Sequence, residues 1–253
     1  MVCSPGFEET PLTLASRLPP GFHVHALTAP ASEAPLARRI MEAGLAERVT
    51  LYPWTGGAPL PYASDLLNVL VMTAADGTAS AKEAFRVLAP YGRAFLRTTA
   101  EDAAERILEH LRNTGATHAA TLPGAPAWIG FGKPWPEDMG EWPQHLHGPG
   151  NNAVTPDLRV GPPRHLRWTA GPRWSRNHES AGSLPALVSA AGRLFAVVDE
   201  GPIGISAENV PDKWMLVARD AFNGRVLWKR PLGDWGWRSW RNDWVTRTVP
   251  PSM

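Results

Sequence analysis

The most restrictive stretch of this sequence runs from Asp65 to Thr73, where Leu66, Leu67, Val69, Leu70, Val71 and Met72 follow one another almost without a polar break. A strand can carry such a run only when both of its faces are buried, which is the condition of a strand inside a parallel sheet flanked by helices. The neighbouring segments supply the other layers. Phe22 to Leu27, Arg48 to Trp54 and Arg93 to Thr98 read as further strands. Ser32 to Ala43, closed by Gly44, reads as a helix. So do Ala79 to Leu88, stopped by Pro90-Tyr91-Gly92, and Glu101 to Asn113, ended by Gly115. Strands alternating with helices predict an α/β domain with a parallel sheet.

Past residue 123 the helical spacing vanishes. Trp54 is alone in residues 1–126, whereas the other 11 of 12 tryptophans fall in residues 127–253. Residues 123–183 are punctuated by Pro, Gly and Trp, which predicts an ordered connector, because tryptophan is rare in disordered chain. Four short strands are then expected, at Ala186–Ser189, Arg193–Val198, Trp214–Arg219 and Arg225–Arg230. Between the last two, Asn223-Gly224 supplies the positive backbone dihedrals of a tight hairpin. The organisation expected for the 253 residues is therefore an α/β domain at 1–122, a connector at 123–183, and a β segment with a Trp-rich tail at 184–253.

Composition removes several functions. A net charge of +1 with 19% charged residues gives no field suited to nucleic acid. Cys3 is the one cysteine, so an internal disulfide or a Cys-rich metal site is out of reach. No run of ~18 apolar residues is present to span a membrane, and the first residues lack the basic and apolar regions of a signal peptide.

The region from about Val2 to Gly130 resembles the Rossmann-like, three-layer fold of class I S-adenosylmethionine-dependent methyltransferases. Arg48-Val49-Thr50-Leu51, Gly56-Gly57, Leu60-Pro61-Tyr62 and Val87-Leu88-Ala89-Pro90-Tyr91-Gly92 carry the resemblance. It implies a cofactor site made by Ser4 and Gly6 in the loop after the first strand, Thr28 after the second, and Thr55 with Gly56 after the third. Each position departs from the family pattern. The loop Cys3-Ser4-Pro5-Gly6-Phe7-Glu8 has one glycine, a proline without an N–H and a bulky Phe. Thr28 stands where a carboxylate would hold both ribose hydroxyls, and Thr55-Gly56 where an acid would flank the adenine. Three departures at one site describe a vestigial pocket.

A second resemblance begins in the connector, at Trp142, His145-Leu146-His147-Gly148-Pro149, Asn151-Asn152, Val160-Gly161-Pro162-Pro163 and Gly171 to Arg176. It continues in Ala218-Arg219-Asp220-Ala221-Phe222-Asn223-Gly224-Arg225-Val226-Leu227-Trp228, which is similar to the tryptophan-docking repeat of quinoprotein-type β-propellers. Large bacterial proteins that fuse a methyltransferase-like domain to a pyrroloquinoline-quinone-repeat propeller look like this. In that frame Gly224 permits the turn, Asp220 caps it, and Trp228 lays its ring against the adjacent blade. Residues 184–253 provide one four-stranded antiparallel blade, while a closed propeller needs at least four. The expectation is the leading part of a longer chain, completed by the missing blades or by a protein partner.

Other constellations read as structural. His145-x-His147, with His165 and His178, lacks the Cys or paired carboxylates of a metal shell. Arg173, Arg176 and Arg193 beside Trp174 read as braces on tryptophan rather than an anion site. Asp199-Glu200 and Asp138 with Glu141 are poorly placed as an acid/base pair, no Gly-x-Ser-x-Gly elbow is present, and Cys3 reads as a small hydrophobe. The function expected first is a non-catalytic binding or scaffold protein with no cofactor. The alternative is a methyltransferase that keeps weak S-adenosylmethionine binding through Gly6, Thr28 and the residues near Gly56. A quinone-dependent oxidoreductase comes third, since a vicinal cysteine pair is impossible here. The resemblance implies export, against the missing signal, so the compartment stays open.

Overall fold

The structure, a computed structural model, describes residues 2–3, 10–56, 59–75, 77–98, 101–161, 166–171, 183–202 and 213–233. The chain forms two compact units, Met1–Pro136 and Glu137–Met253.

The first unit runs β1 (Val2–Cys3), α1 (Thr10–Arg17), β2 (Val24–Thr28), α2 (Pro30–Glu42), β3 (Val49–Pro53), β4 (Leu67–Ala75), α3 (Thr78–Val87), β5 (Leu88–Thr98), α4 (Glu101–Asn113), β6 (Thr117–Leu122) and β7 (Ala125–Gly132). The sheet order is β3-β2-β1-β4-β5-β7-β6. Strands β1 to β5 are parallel, and β7 runs antiparallel to both of its neighbours. The order 3-2-1-4-5 is that of a doubly wound α/β sheet, whose direction of winding reverses between β1 and β4. The expected α/β layer with its parallel strands is therefore present.

Helices α1 and α2 cover β2 and β3, where Ala15, Val24, Leu36, Ile40 and Val49 form one core. Helices α3 and α4 cover the opposite face of β4 to β7, where Leu70, Met72, Leu96, Ile107, Leu111, Ile129 and Phe131 form the larger core. Within the run Leu67, Leu70, Val71 and Met72 are buried, whereas Asn68 is exposed and Val69 partly so.

Three elements lie differently from the sequence expectation. The boundary at 122 falls inside the β6–β7 hairpin, and β7 sits second from the edge, so the first unit extends to Pro136. Helix α1 has no counterpart in the expected order. Pro90-Tyr91-Gly92 does not stop α3: the helix ends at Val87 and the chain enters β5 directly at Leu88. Gly92 allows this because a Cβ there would come within 2.7 Å of the Ala89 carbonyl oxygen and 2.9 Å of that of Leu67.

Among the described residues of the crossover from β3 to β4, 54–56 and 59–66, none is helical. Side chains of α3 fasten it instead. Glu83 accepts the N–H of Leu60 at 3.0 Å, while Arg86 donates to the carbonyl oxygens of Leu60 and Tyr62 at 3.1 and 2.8 Å and pairs with Glu83 at 2.8 Å.

In the second unit β8 (Ala186–Ala190), β9 (Arg193–Asp199), β10 (Trp214–Asp220) and β11 (Val226–Pro231) form one antiparallel sheet, order β11-β10-β9-β8. Asp220 caps the β10–β11 turn, its Oδ1 accepting the N–H groups of Phe222 and Asn223 at 2.9 and 3.0 Å. The ring against Gly224 is that of Trp168, from the connector, whose Nε1 donates to the Ala221 carbonyl at 3.0 Å. Trp228 instead packs on Phe195 and beneath Arg230. The connector is ordered by Asp157, whose carboxylate accepts the N–H groups of Gly140, Arg159 and Val160, each at 2.8 Å.

Candidate functional site

In a doubly wound sheet the ligand crevice opens at the carboxyl ends of the strands, beside the point where the winding reverses. Here that point lies between β1 and β4, and β2 and β3 follow β1 on one side of it. Thr28 is the last residue of β2 and only 5% exposed. Its hydroxyl is buried without any hydrogen-bond partner. Its carbonyl oxygen accepts the N–H of Trp54 at 2.8 Å, which ties the end of β2 to the segment after β3. Two sites singled out in the sequence, Thr28 and Thr55-Gly56, are thus brought to adjacent strand ends. Thr55 is exposed and Gly56 takes a φ of +80°.

Ser4 and Gly6, the expected loop residues, lie outside the described residues, as do Gly57, His165, Arg173, Trp174, Arg176 and His178. Helix α2 starts immediately after Thr28. Ala29 is its N-cap, without a side-chain hydrogen bond, and Pro30 opens the first turn. No carboxylate stands at the end of β2 or β3: Thr28 leads into Ala29-Pro30, and Pro53 into Trp54-Thr55-Gly56.

Beneath the strand ends, the other face of β2 carries His25. Its Nδ1 lies 2.5 Å from the Tyr62 hydroxyl, and its ring is 6.0 Å from that of Tyr52. Burial holds the imidazole below its ordinary pKa, with the charge of His23 adding to the effect. Tyr62 belongs to the crossover fastened by Glu83 and Arg86, so the segment bearing Thr55 and Gly56 is held from below. Leu60-Pro61-Tyr62 serves as a fold marker in the sequence and does not by itself disclose this bracing; the available signal is a crossover broken by Gly56, Gly57, Pro59 and Pro61, whose backbone groups need side-chain partners.

The remaining candidates serve the fold. His147 packs edge-on against Trp142 at 5.2 Å, and the Trp142 indole donates to the His145 carbonyl. The Asp199 carboxylate accepts the N–H groups of Gly201 and Lys213 at 2.8 and 3.0 Å. Glu141 accepts the N–H of Ala191 at the β8–β9 turn, and Asp138 pairs with Arg159. Among the described residues no group of three or more His, Cys, Asp or Glu could hold a metal ion. No described helix is long and apolar enough to cross a membrane.

No protein-family model matches the sequence, and no curated protein matches it. Solved structures do. An S-adenosylmethionine-dependent O-methyltransferase of Thermotoga maritima matches at 14% identity and a TM-score of 0.42, over 54% of this chain and 60% of its own. An S-adenosylmethionine-dependent methyltransferase of Aquifex aeolicus matches at 12% and 0.40, over 51% and 79%. A geranyl diphosphate methyltransferase in complex with S-adenosylmethionine matches at 11% and 0.39, over 52% and 77%.

Proposed function

We propose that the first unit is a methyltransferase-type domain that binds S-adenosylmethionine weakly, with the ribose of the cofactor at the carboxyl end of β2. The observation that carries this reading is the Thr28 hydroxyl, buried and without a partner at that strand end. Leaving such a group unmade costs about 1–3 kcal/mol, and a ribose hydroxyl would supply the missing bond. The place of Thr28, beside the reversal point of the sheet, supports the same reading. Thr55 and Gly56 would border the base, and Ser4 and Gly6 keep the role that the resemblance gives them. Affinity is low because one hydroxyl replaces a carboxylate; the lost charged hydrogen bond weakens binding by ~1.5–3 kcal/mol, roughly ten- to a hundredfold.

A second reading, a binding or scaffold module without catalysis, is favoured by the missing carboxylates at the ends of β2 and β3. In it the second unit is a propeller-type blade awaiting further blades or a partner, which the capped Asp220 turn and the tryptophan ring on Gly224 support. Titration calorimetry with S-adenosylmethionine and S-adenosylhomocysteine separates the two. Binding in the micromolar range is the expected result; absence of heat at millimolar ligand removes the cofactor from the function and leaves the module.

A further inference from the structure

Asn223-Gly224 is the one place in the sequence where glycine directly follows asparagine. The pair lies in the β10–β11 turn, inside a net of hydrogen bonds. The Gly224 N–H donates to the Asp220 carbonyl oxygen at 2.9 Å. The Asn223 N–H donates to Asp220 Oδ1 at 3.0 Å, and the Asn223 Oδ1 accepts the N–H of Arg225 at 3.1 Å. Arg219 donates to the Gly224 carbonyl oxygen at 2.9 Å. Over the glycine lies the Trp168 indole, which its own bond to the Ala221 carbonyl oxygen holds in place.

We propose that Asn223 is a spontaneous deamidation site whose reaction is gated by the docking of Trp168. Gly224 makes the chemistry possible, because a residue without a Cβ lets its amide nitrogen close on the preceding carboxamide. That nitrogen gives its proton to hydroxide and bonds to Asn223 Cγ. The bond from Cγ to Nδ2 breaks, and Nδ2 takes a proton from water and leaves as ammonia. Water then opens the cyclic imide at either ring carbonyl, which yields aspartate or isoaspartate. Water is the sole co-reactant, and nothing is oxidised or reduced.

In the docked turn both reacting groups are held. Losing its proton costs the Gly224 nitrogen its bond to Asp220, and closing the ring rotates the peptide between Asn223 and Gly224 as one plane. The indole leaves so little room over Gly224 that even a methyl group would collide with it. The reaction therefore proceeds from the open turn, at a rate set by how often Trp168 lifts away. The product keeps a record of that opening. A new carboxylate appears close to Asp220, whose own carboxylate caps the turn. Isoaspartate also adds a methylene to the backbone, which alters the span between Arg219 and Val226, the pair that closes the hairpin. The turn belongs to the second unit, so its chemistry is independent of the cofactor reading.

The test follows deamidation by mass spectrometry in the full chain, in Trp168→Ala and in a synthetic peptide of residues 218–228, all at mildly alkaline pH. The full chain should react at Asn223 at least about tenfold more slowly than the peptide, as expected for a site reached through local opening. Trp168→Ala should react several-fold faster than wild type. Should that variant lose its sheet by circular dichroism, Trp168→Phe, which keeps a ring without the indole N–H, should still react at a rate between those of wild type and peptide. Wild type as fast as the peptide overturns the protection, and rates indifferent to the Trp168 substitutions overturn the gate. So does an acceleration shared equally by Asn152 in the connector, which an undocked turn would leave unchanged.

Discussion

The indole of Trp168 lies so close over Gly224 that a Cβ on this residue would come within 2.5 Å of the ring's Cδ2 and 2.6 Å of Cε3. Gly224 has a φ of +74°, a left-handed conformation that costs other residues about 1–2 kcal/mol. Gly224→Ala should therefore carry two penalties, backbone strain and displacement of the ring. In a Trp168→Ala background only the strain remains. A double-mutant cycle should give a coupling between roughly 0.5 and 3 kcal/mol, read from hydrogen exchange at the buried amides of Val217 and Ala218. Strict additivity would show that the ring and the turn are independent.

This contact also marks where sequence reading stops. The repeat around Asp220 and Gly224 points to Trp228 as a ring laid against an adjacent blade and does not say which ring packs on its own turn. The ring that does so is 56 residues earlier, by the difference between Gly224 and Trp168, and nothing local to either segment links them. The β6–β7 hairpin was hidden for a related reason. Gly130 and Gly132 look like turn residues, yet they are strand positions where Leu122 and Thr117 cross, with Cβ clearances of 3.0 and 2.8 Å. In contrast, the buried strand at Leu67–Ala75 and helix α4 are legible because burial alone dictates their apolar spacing. Thr28 could be placed at the site by its position after β2, but its unpartnered hydroxyl emerges only from the packing.

Lys133 and Asp65 form a buried pair at the end of the sheet opposite the candidate site. The Lys133 ammonium donates to Asp65 at 2.7 Å and to the Phe85 carbonyl at 2.9 Å, over the Phe85 ring, with side-chain exposures of 7% and 16% for Lys133 and Asp65. Removing one partner leaves a charge out of water. Lys133→Met should cost about 3–5 kcal/mol in urea unfolding. Adding Asp65→Asn should recover much of this, since Asn tolerates the φ of 59° found there. Failure of the double variant to recover any stability would mean that the ammonium acts through Phe85 alone.

Thr28→Val replaces the unpartnered hydroxyl by a methyl group of similar size. Unfolding of the free protein should become harder by about 1 kcal/mol, as the cost of the unmade hydrogen bond disappears. Affinity for S-adenosylmethionine should fall at the same time. Opposite changes in the two measurements mark a group kept for a ligand, whereas a variant that is less stable and binds unchanged would assign Thr28 to packing.

The burial of His25 makes stability depend on pH. Burial depresses the imidazole pKa below its ordinary 6.5 in the folded chain, so between the folded value and 6.5 the unfolded chain binds more protons. Stability is then complete above 6.5, falls as the pH drops through 6.5 to the folded value, and loses nothing further from this group below it. His25→Gln keeps a partner for the Tyr62 hydroxyl but cannot titrate. The difference in unfolding free energy between wild type and His25→Gln should therefore shrink on acidification across that interval, and imidazole NMR should place the His25 titration below 6.5. A difference that stays constant with pH would mean that His25 titrates alike in both states and that its burial carries no protonation cost.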